Sequence, residues 1–322
     1  MTAYYRVMAG KKSMHAKACF EGGFIGTDFG ITENVSADLD GGREAFIKKY
    51  GPIYLTSYPD KSKVATSLAC SAIYTVSRGI EIGDVILTPD GNHGYRVGDV
   101  TSGYWHAPGG PLPHRRSVHW RQKPVPIEAV SSALQASAGS QQTCISLSPH
   151  GTEIAQLIGI EGSPDPVDPD GVRIDDPVVF AMEKHLEAFL VANWDKTLLG
   201  KSYDIYQDDG DAVGQQYLTS VGTIDILAQS KDKTKLLVVE LKRGRASDVV
   251  VGQTLRYMGY VQTELADGGQ TVEGAIIALE DDKKLRMALV PVPAVTFYRY
   301  EVTFTLTSGT PAASAAGQSG GA

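Results

Sequence analysis

Asp225, Glu240 and Lys242 are the residues whose types and spacing carry the clearest chemistry. Asp225 lies in Gly222-Thr223-Ile224-Asp225-Ile226-Leu227, and Glu240 and Lys242 end the apolar run Leu236-Leu237-Val238-Val239-Glu240-Leu241-Lys242, with a charged turn (Lys231–Lys235) between them. Successive side chains alternate along a strand, so Glu240 and Lys242 share one face while Leu241 points the other way, into a core. Asp225 can join them from the neighbouring strand of a hairpin. Two carboxylates and the Leu241 main-chain carbonyl are hard oxygen donors suited to Mg2+, with Mn2+ as a substitute. Such an ion keeps several waters and takes substrate phosphate oxygens to complete its shell. A lysine beside it orients the attacking water or stabilises charge on the phosphate. The chemistry is phosphodiester hydrolysis. An ordinary cross-strand ion pair of little energetic value uses the same residue types, so the surroundings must decide.

The elements that would position these groups are an α/β set. Val178–Asn193 has helical spacing and carries Glu187, or alternatively Glu183, as a further carboxylate. Strands are expected at Tyr217–Ala228 and Lys235–Lys242, then a helix at Ser247–Leu265 with Ser247 as cap and Asp248 at the positive end of the dipole. On that helix Gln253 and Tyr257 are one turn apart and face the same way. Further strands are expected at Thr271–Leu279, Leu285–Pro291 and Val295–Thr305. Lys242, Arg243 and Arg245 give the site a local positive field.

The segment GTIDIL…VVELKRGRASDVVVGQTLRYMGYV resembles the nuclease domain of NucS-like endonucleases in the PD-(D/E)XK superfamily, over roughly residues 178–305. The resemblance implies that Asp225 and Glu240 ligate the metal, with the Leu241 carbonyl between them, and that Lys242 is the catalytic lysine. It further implies that Glu187 is the helix carboxylate and that Gln253 and Tyr257 form the Q-x-x-x-Y motif beside the site. Arg243, Arg245 and Tyr257 are expected to meet DNA. The N-terminal half departs from the NucS pattern, so the chemistry is carried over and the substrate preference is not.

In the N-terminal half, Asp60–Ser77 has helical spacing, and Gly83–Leu87, Gly94–Val100 and Ser117–Trp120 read as short strands split by Gly/Pro-rich loops. The runs GDVILTPDG, YRVGDV and LPHRRSVHW resemble the PUA-like barrels, of EVE and SRA type, found beside nucleases in restriction systems. That resemblance implies a domain that reads nucleic acid and holds a modified or flipped base between rings. Phe29, Tyr104 and Trp105 are the expected pocket and Arg115 and Arg116 the expected phosphate contacts, although aromatics in a small barrel are more often core than cage. Gly10-Lys11-Lys12 lacks the spacer of a phosphate loop and Gly22-Gly23…Gly26 the setting of a dinucleotide fingerprint, so no nucleotide cofactor is expected.

At 322 residues the chain is about two domains long at roughly 150 residues each. Residues 161–177 hold four prolines and five aspartates and read as a linker, and 308–322 is a small-residue tail expected to be disordered. The expected organisation is a PUA-like domain at 1–160, that linker, a PD-(D/E)XK domain at 178–307, and the tail. With 30 basic against 37 acidic residues the net charge is −7, which excludes nucleic-acid binding by bulk charge and makes phosphate contacts local. No apolar run approaches the roughly 20 residues of a membrane span, and no signal-peptide core is present. Cys19, Cys70 and Cys144 are far apart with no CxxC spacing, which indicates neither a disulfide framework nor a zinc site. The reading is a cytoplasmic, Mg2+-dependent DNA endonuclease, a homodimer so that both strands can be cut, serving restriction of foreign and modified DNA. DNA repair and a non-catalytic nucleic-acid-binding module are the alternatives.

Overall fold

The computed structural model describes residues 2–159 and 186–301. The expected linker at 161–177 and the tail at 308–322 lie outside the described residues, as does the half of the expected helix before residue 186, with Glu183 in it. The mixed α/β architecture falls into two halves.

The N-terminal half runs β1 (Tyr4–Val7), α1 (Ala16–Gly22), β2 (Phe24–Thr27), α2 (Gly42–Ser57), α3 (Lys63–Tyr74), β3 (Val85–Pro89), β4 (Gly94–Val100), β5 (Trp105–His106), β6 (His114–Trp120), β7 (Val125–Pro126), α4 (Ser132–Ala138), β8 (Cys144–Ser146) and α5 (Gly151–Leu157). Its strands curl into a half-barrel in the order β2-β6-β4-β3-β1-β8, with β5 on β6 and β7 on β4. The β1–β3 pair is parallel and the others are antiparallel. Inside, Val85, Leu87, Val97 and Ile145 pack on Leu134 and Ile154, while Ile25, Ile86 and Val118 meet Val76 on the helical side. The helix expected at Asp60–Ser77 begins at α3, where the Ser62 hydroxyl accepts from the Ala65 amide at 3.1 Å, and continues into one wider turn at Thr75–Gly79.

The C-terminal half contains α6 (186–192), β9 (Tyr203–Ile205), β10 (Gln207–Asp208), β11 (Asp211–Ala212), β12 (Gln215–Thr219), β13 (Gly222–Ser230), β14 (Lys235–Arg245), α7 (Asp248–Tyr260), β15 (Thr271–Glu280), α8 (Lys283–Leu289) and β16 (Val295–Arg299). The sheet order is β12-β13-β14-β15-β16 with β9 beside β13. β12, β13 and β14 are antiparallel, whereas α7 and α8 carry the chain back so that β14, β15 and β16 are parallel. A sheet covered on both faces needs apolar residues at every position of its central strands. In β14, Leu236 and Val238 face Val250, Tyr257 and Val261 of the α7 side, and Leu237, Val239 and Leu241 face Leu190 and Trp194 of the α6 side.

The structure differs from the sequence reading at several elements. The strand expected over Tyr217–Ala228 is a hairpin, because Thr219 pairs with Gly222 and the chain turns at Ser220 and Val221. Leu285–Pro291, expected as a strand, is mostly α8. Asp282 caps it by accepting from the Leu285 amide at 2.7 Å, and Leu285 is buried while Met287 is exposed, an asymmetry that one strand face does not give. Ser247 stands at the start of α7 without a capping side-chain bond.

The two halves share a core. Val64 of α3 lies in the cluster of Tyr206, Tyr217 and Tyr260, and Lys61 pairs with Asp208 at 2.6 Å and Asp209 at 2.7 Å. The Ser62 hydroxyl is 2.5 Å from that of Tyr206, and Lys63 donates to the Ala266 carbonyl at 2.9 Å.

Candidate active site

Asp225 and Glu240 are brought together by the β13–β14 register. Ile226 pairs with Val239 and Leu227 with Val238, so continuing that register sets Asp225 opposite Glu240. The Asp225 carboxylate accepts from the Leu241 amide at 2.8 Å, which ties it to the strand carrying the other two groups. Glu240 is only 2% exposed and accepts from Lys242 Nζ at 3.0 Å, while the Lys242 side chain keeps about a third of its surface open (33%).

Glu187, on α6, is buried and accepts from two neighbouring side-chain amides, Gln215 at 2.8 Å and Gln216 at 2.6 Å. The Gln216 amide also lies 3.4 Å from Asp225, so it joins the helix carboxylate to the strand carboxylate. Gln215 and Gln216 were not among the residues singled out from sequence. The only signal for them is their position on the strand before Asp225.

Gln253 and Tyr257 meet on α7, amide to hydroxyl, at 3.4 Å. Tyr257 is fully buried in the core under the sheet. Arg245 is exposed and pairs with Glu280 at 3.0 Å. The Arg243 side chain lies outside what the structure describes.

Among the described residues no group of three or more His, Cys, Asp or Glu is placed to hold a metal ion. What the site offers is the Asp225 and Glu240 carboxylates with the Leu241 carbonyl. That donor set fits an ion of the Mg2+ kind, whose remaining ligands are waters and substrate oxygens, and does not fit an all-protein cage.

The N-terminal candidates do not form one site. Arg116 is 6% exposed and spends its guanidinium on the carbonyls of Val76 (2.6 Å), Ser77 (2.7 Å) and Ser102 (3.2 Å), closing the end of the wide turn after α3. Arg115 donates to the carbonyls of Leu112 and Pro111, with its guanidinium over the Phe24 ring and near Trp105. Arg116 is thus spent on holding the fold, whereas Arg115 braces the same loop from a half-buried position. Adjacent residues of an extended segment point apart: Trp105 lies by Phe24 and Arg115, whereas the Tyr104 hydroxyl meets His114 at 3.1 Å. Phe29, in a left-handed conformation (φ 62°), lines a different space. That space is a cavity of about 520 Å3 between the halves, bounded among others by Phe29, Tyr54, Tyr58, Gln142, Asp208 and Val213. Tyr104 and Trp105 do not line it, although Phe29 and Tyr104 pack against the same core cluster. Cys19, Cys70 and Cys144 are all buried free thiols, and among the described residues no helix is long and apolar enough to cross a membrane.

Residues 182–289 match the family model of the endonuclease NucS C-terminal domain, and residues 5–148 match a domain of unknown function (DUF8426). A repair endonuclease from Pyrococcus abyssi is similar in structure at 14% identity and a TM-score of 0.30, over 65% of this chain and 78% of that one. EndoMS in complex with double-stranded DNA is similar at 13% identity and a TM-score of 0.30, over 69% and 66%. Its apo form matches at 14% identity and 0.30, over 68% and 65%. No curated protein matches the chain.

Proposed function

We propose, from a NucS-type endonuclease domain over residues 182–289, that this protein is a divalent-metal-dependent DNA endonuclease whose cleavage centre is Asp225, Glu240 and Lys242. The observation that carries the reading is the Asp225–Leu241 hydrogen bond, which fixes one carboxylate beside the strand that bears Glu240 and Lys242. Asp225, Glu240 and the Leu241 carbonyl would hold Mg2+ or Mn2+. The ion, when bound, supplies Lewis acidity at the phosphate and a water of lowered pKa. Lys242, 3.0 Å from Glu240, donates to the attacking water or to a non-bridging phosphate oxygen and so offsets charge that develops during attack. Glu187 holds Asp225 in place through Gln216. Gln253 supplies an amide at the helix edge, and Arg245 and Arg243 sit at the end of β14, where the DNA backbone would approach.

The match to the endonuclease NucS C-terminal domain favours repair over restriction, so we assign the protein to repair of abnormal DNA, with the N-terminal half selecting the target. Each chain has one cleavage centre, so cutting both strands takes two copies, and we propose a homodimer related by a two-fold axis. Its unpaired buried thiols suit a reducing cytoplasm.

The test is a panel of plain, methylated, hydroxymethylated, mismatched, branched and single-stranded DNAs with Mg2+ or Mn2+. Mismatched or branched DNA is expected to be cut first, and Asp225→Ala to lose cleavage by at least about 1000-fold while still shifting DNA in gels. Cleavage by that variant at the unaltered rate ends the metal assignment. DNA binding without cleavage by the unaltered protein would leave only a binding module.

A further inference from the structure

The helix carboxylate is held in an unusual way. Gln215 and Gln216 are consecutive residues of β12, and consecutive side chains of a regular strand point to opposite faces. Both nevertheless reach Glu187. The cause is Gln216, whose φ of 50° puts it in the left-handed region that a β-carbon disfavours. Gln215 pairs with Ile226 and Tyr217 with Ile224, so the kink falls directly across from Asp225. It swings the second amide to the same side as the first and to within 3.4 Å of Asp225.

That kink is gripped from the other half of the protein. The Gln142 carboxamide, in the loop between α4 and β8, donates to the carbonyls of Gln215 at 2.7 Å, Val213 at 2.9 Å and Gln216 at 3.3 Å. Gln142 is itself buried, and its loop is fixed from behind by the fully buried Arg6 of β1. Arg6 donates to the main-chain carbonyls of Gln142 (2.5 Å), Thr143 (3.4 Å) and Ser140. A backbone segment in a disfavoured conformation persists only where its surroundings over-determine it, and here the surroundings belong to the N-terminal half.

We infer that Gln142 is a positioning residue for the cleavage centre: by clamping the carbonyls of Val213, Gln215 and Gln216 it holds the kink that sets the Gln216 amide between Glu187 and Asp225. This rests on the nuclease reading for its consequence and on the contacts above for its mechanism. The N-terminal half thereby reaches the metal-binding carboxylates without touching them.

The experiment uses the full chain with Gln142→Met, which keeps the volume and removes the donor, beside Gln216→Ala and the double variant. Groups that orient metal ligands change metal affinity or activity by about 10- to 100-fold when removed. Gln142→Met is expected to weaken Mn2+ binding by calorimetry about 10-fold and to raise the Mn2+ concentration for half-maximal cleavage by a similar factor, with KM for DNA within about twofold of the unaltered protein. Because Gln142 acts through Gln216, the double variant should match Gln216→Ala alone. Additive losses, or unchanged metal binding in Gln142→Met, overturn the inference. If Gln142→Met does not fold, Gln142→Asn, which keeps the donor at shorter reach, should show a graded loss of the same kind, and none would overturn it. Amide exchange over residues 213–219 separates the two readings. If the unaltered protein neither binds Mn2+ nor cuts, yet exchange there rises in Gln142→Met, the clamp stands and the nuclease reading fails. If the unaltered protein cuts and the variant is identical to it, the nuclease reading stands and the clamp fails.

Discussion

Glu240→Gln separates the two roles that a buried carboxylate can have, because stability and cleavage should move independently. Glu240 is 2% exposed, with Lys242, one-third exposed, among its partners at 3.0 Å. A carboxylate charge at that depth costs several kcal/mol to desolvate, which its partners offset. Glutamine has the same shape and no charge, so the metal-free variant should stay within about 1 kcal/mol of the unaltered protein. Metal reverses the comparison. At a metal concentration 100 times Kd, the unaltered protein gains about 2.7 kcal/mol, which for 322 residues unfolding as one unit is a Tm rise of roughly 4 °C. Glu240→Gln lacks one of two protein carboxylates for the ion and should show little of that rise. Cleavage should fall at least about 1000-fold, equivalent to roughly 4 kcal/mol of barrier. Thermal melts with and without Mn2+, alongside single-turnover cleavage, read all three quantities on one preparation. A variant that keeps the full metal-dependent rise and cuts within tenfold would show that Glu240 is an ordinary ion-pair partner.

Two further outcomes follow from the N-terminal half. Arg116→Ala should cost at least about 3 kcal/mol in urea unfolding, since it leaves the carbonyls of Val76, Ser77 and Ser102 without their donor, while DNA affinity at low temperature stays within about twofold; the opposite pattern would restore it as a phosphate contact. His114 is fully buried with Nε2 2.7 Å from the Ile31 carbonyl, which can only accept, so the neutral ring carries its proton there and burial holds its pKa below the ordinary 6.5. A depressed folded-state pKa means that the unfolded chain takes up the proton first. The His114 contribution is therefore complete above about pH 6.5 and is lost as pH falls through the lower folded value, at up to about 1.4 kcal/mol per pH unit. Urea midpoints from pH 8 to 5 should show a slope that His114→Gln flattens, and an unchanged slope would place the acid sensitivity elsewhere.

How much was legible in the sequence depended on whether a residue's role is set locally or by distant backbone. Asp225, Glu240 and Lys242 were legible because strand alternation and one hairpin register are enough to set them on neighbouring strands. The Gln253–Tyr257 pair was legible for the same reason, at helical period. The bracing role of Arg116 was hidden because a guanidinium beside carbonyls from another segment becomes a structural brace, and nothing in LPHRRS states which carbonyls will be there. The depth of Tyr257 was hidden too: the helix face that carries the Q-x-x-x-Y spacing is also the face that packs on the sheet. Leu285 and Met287 alternate like a strand, and the Asp282 cap decided for helix. Gln216 was out of reach altogether, because its place depends on a left-handed φ that its side chain does not favour.

Gln142 shows why the halves act as one unit. A nuclease fold needs its helix carboxylate and its strand carboxylate in a fixed relation, and α6 and β13 do not pair with each other. Gln216 bridges them only in a kinked conformation, and an isolated strand would relax that kink to the extended form. The donors that prevent relaxation come from a loop pinned by Arg6 of β1, and the N-terminal Val64 of α3 is packed into the nuclease core beside Tyr217. Whatever displaces the 140–143 loop must therefore also disturb the spacing of Glu187 and Asp225. The N-terminal half is connected to the kink between Glu187 and Asp225 by one amide shared among three carbonyls rather than by the covalent linker alone.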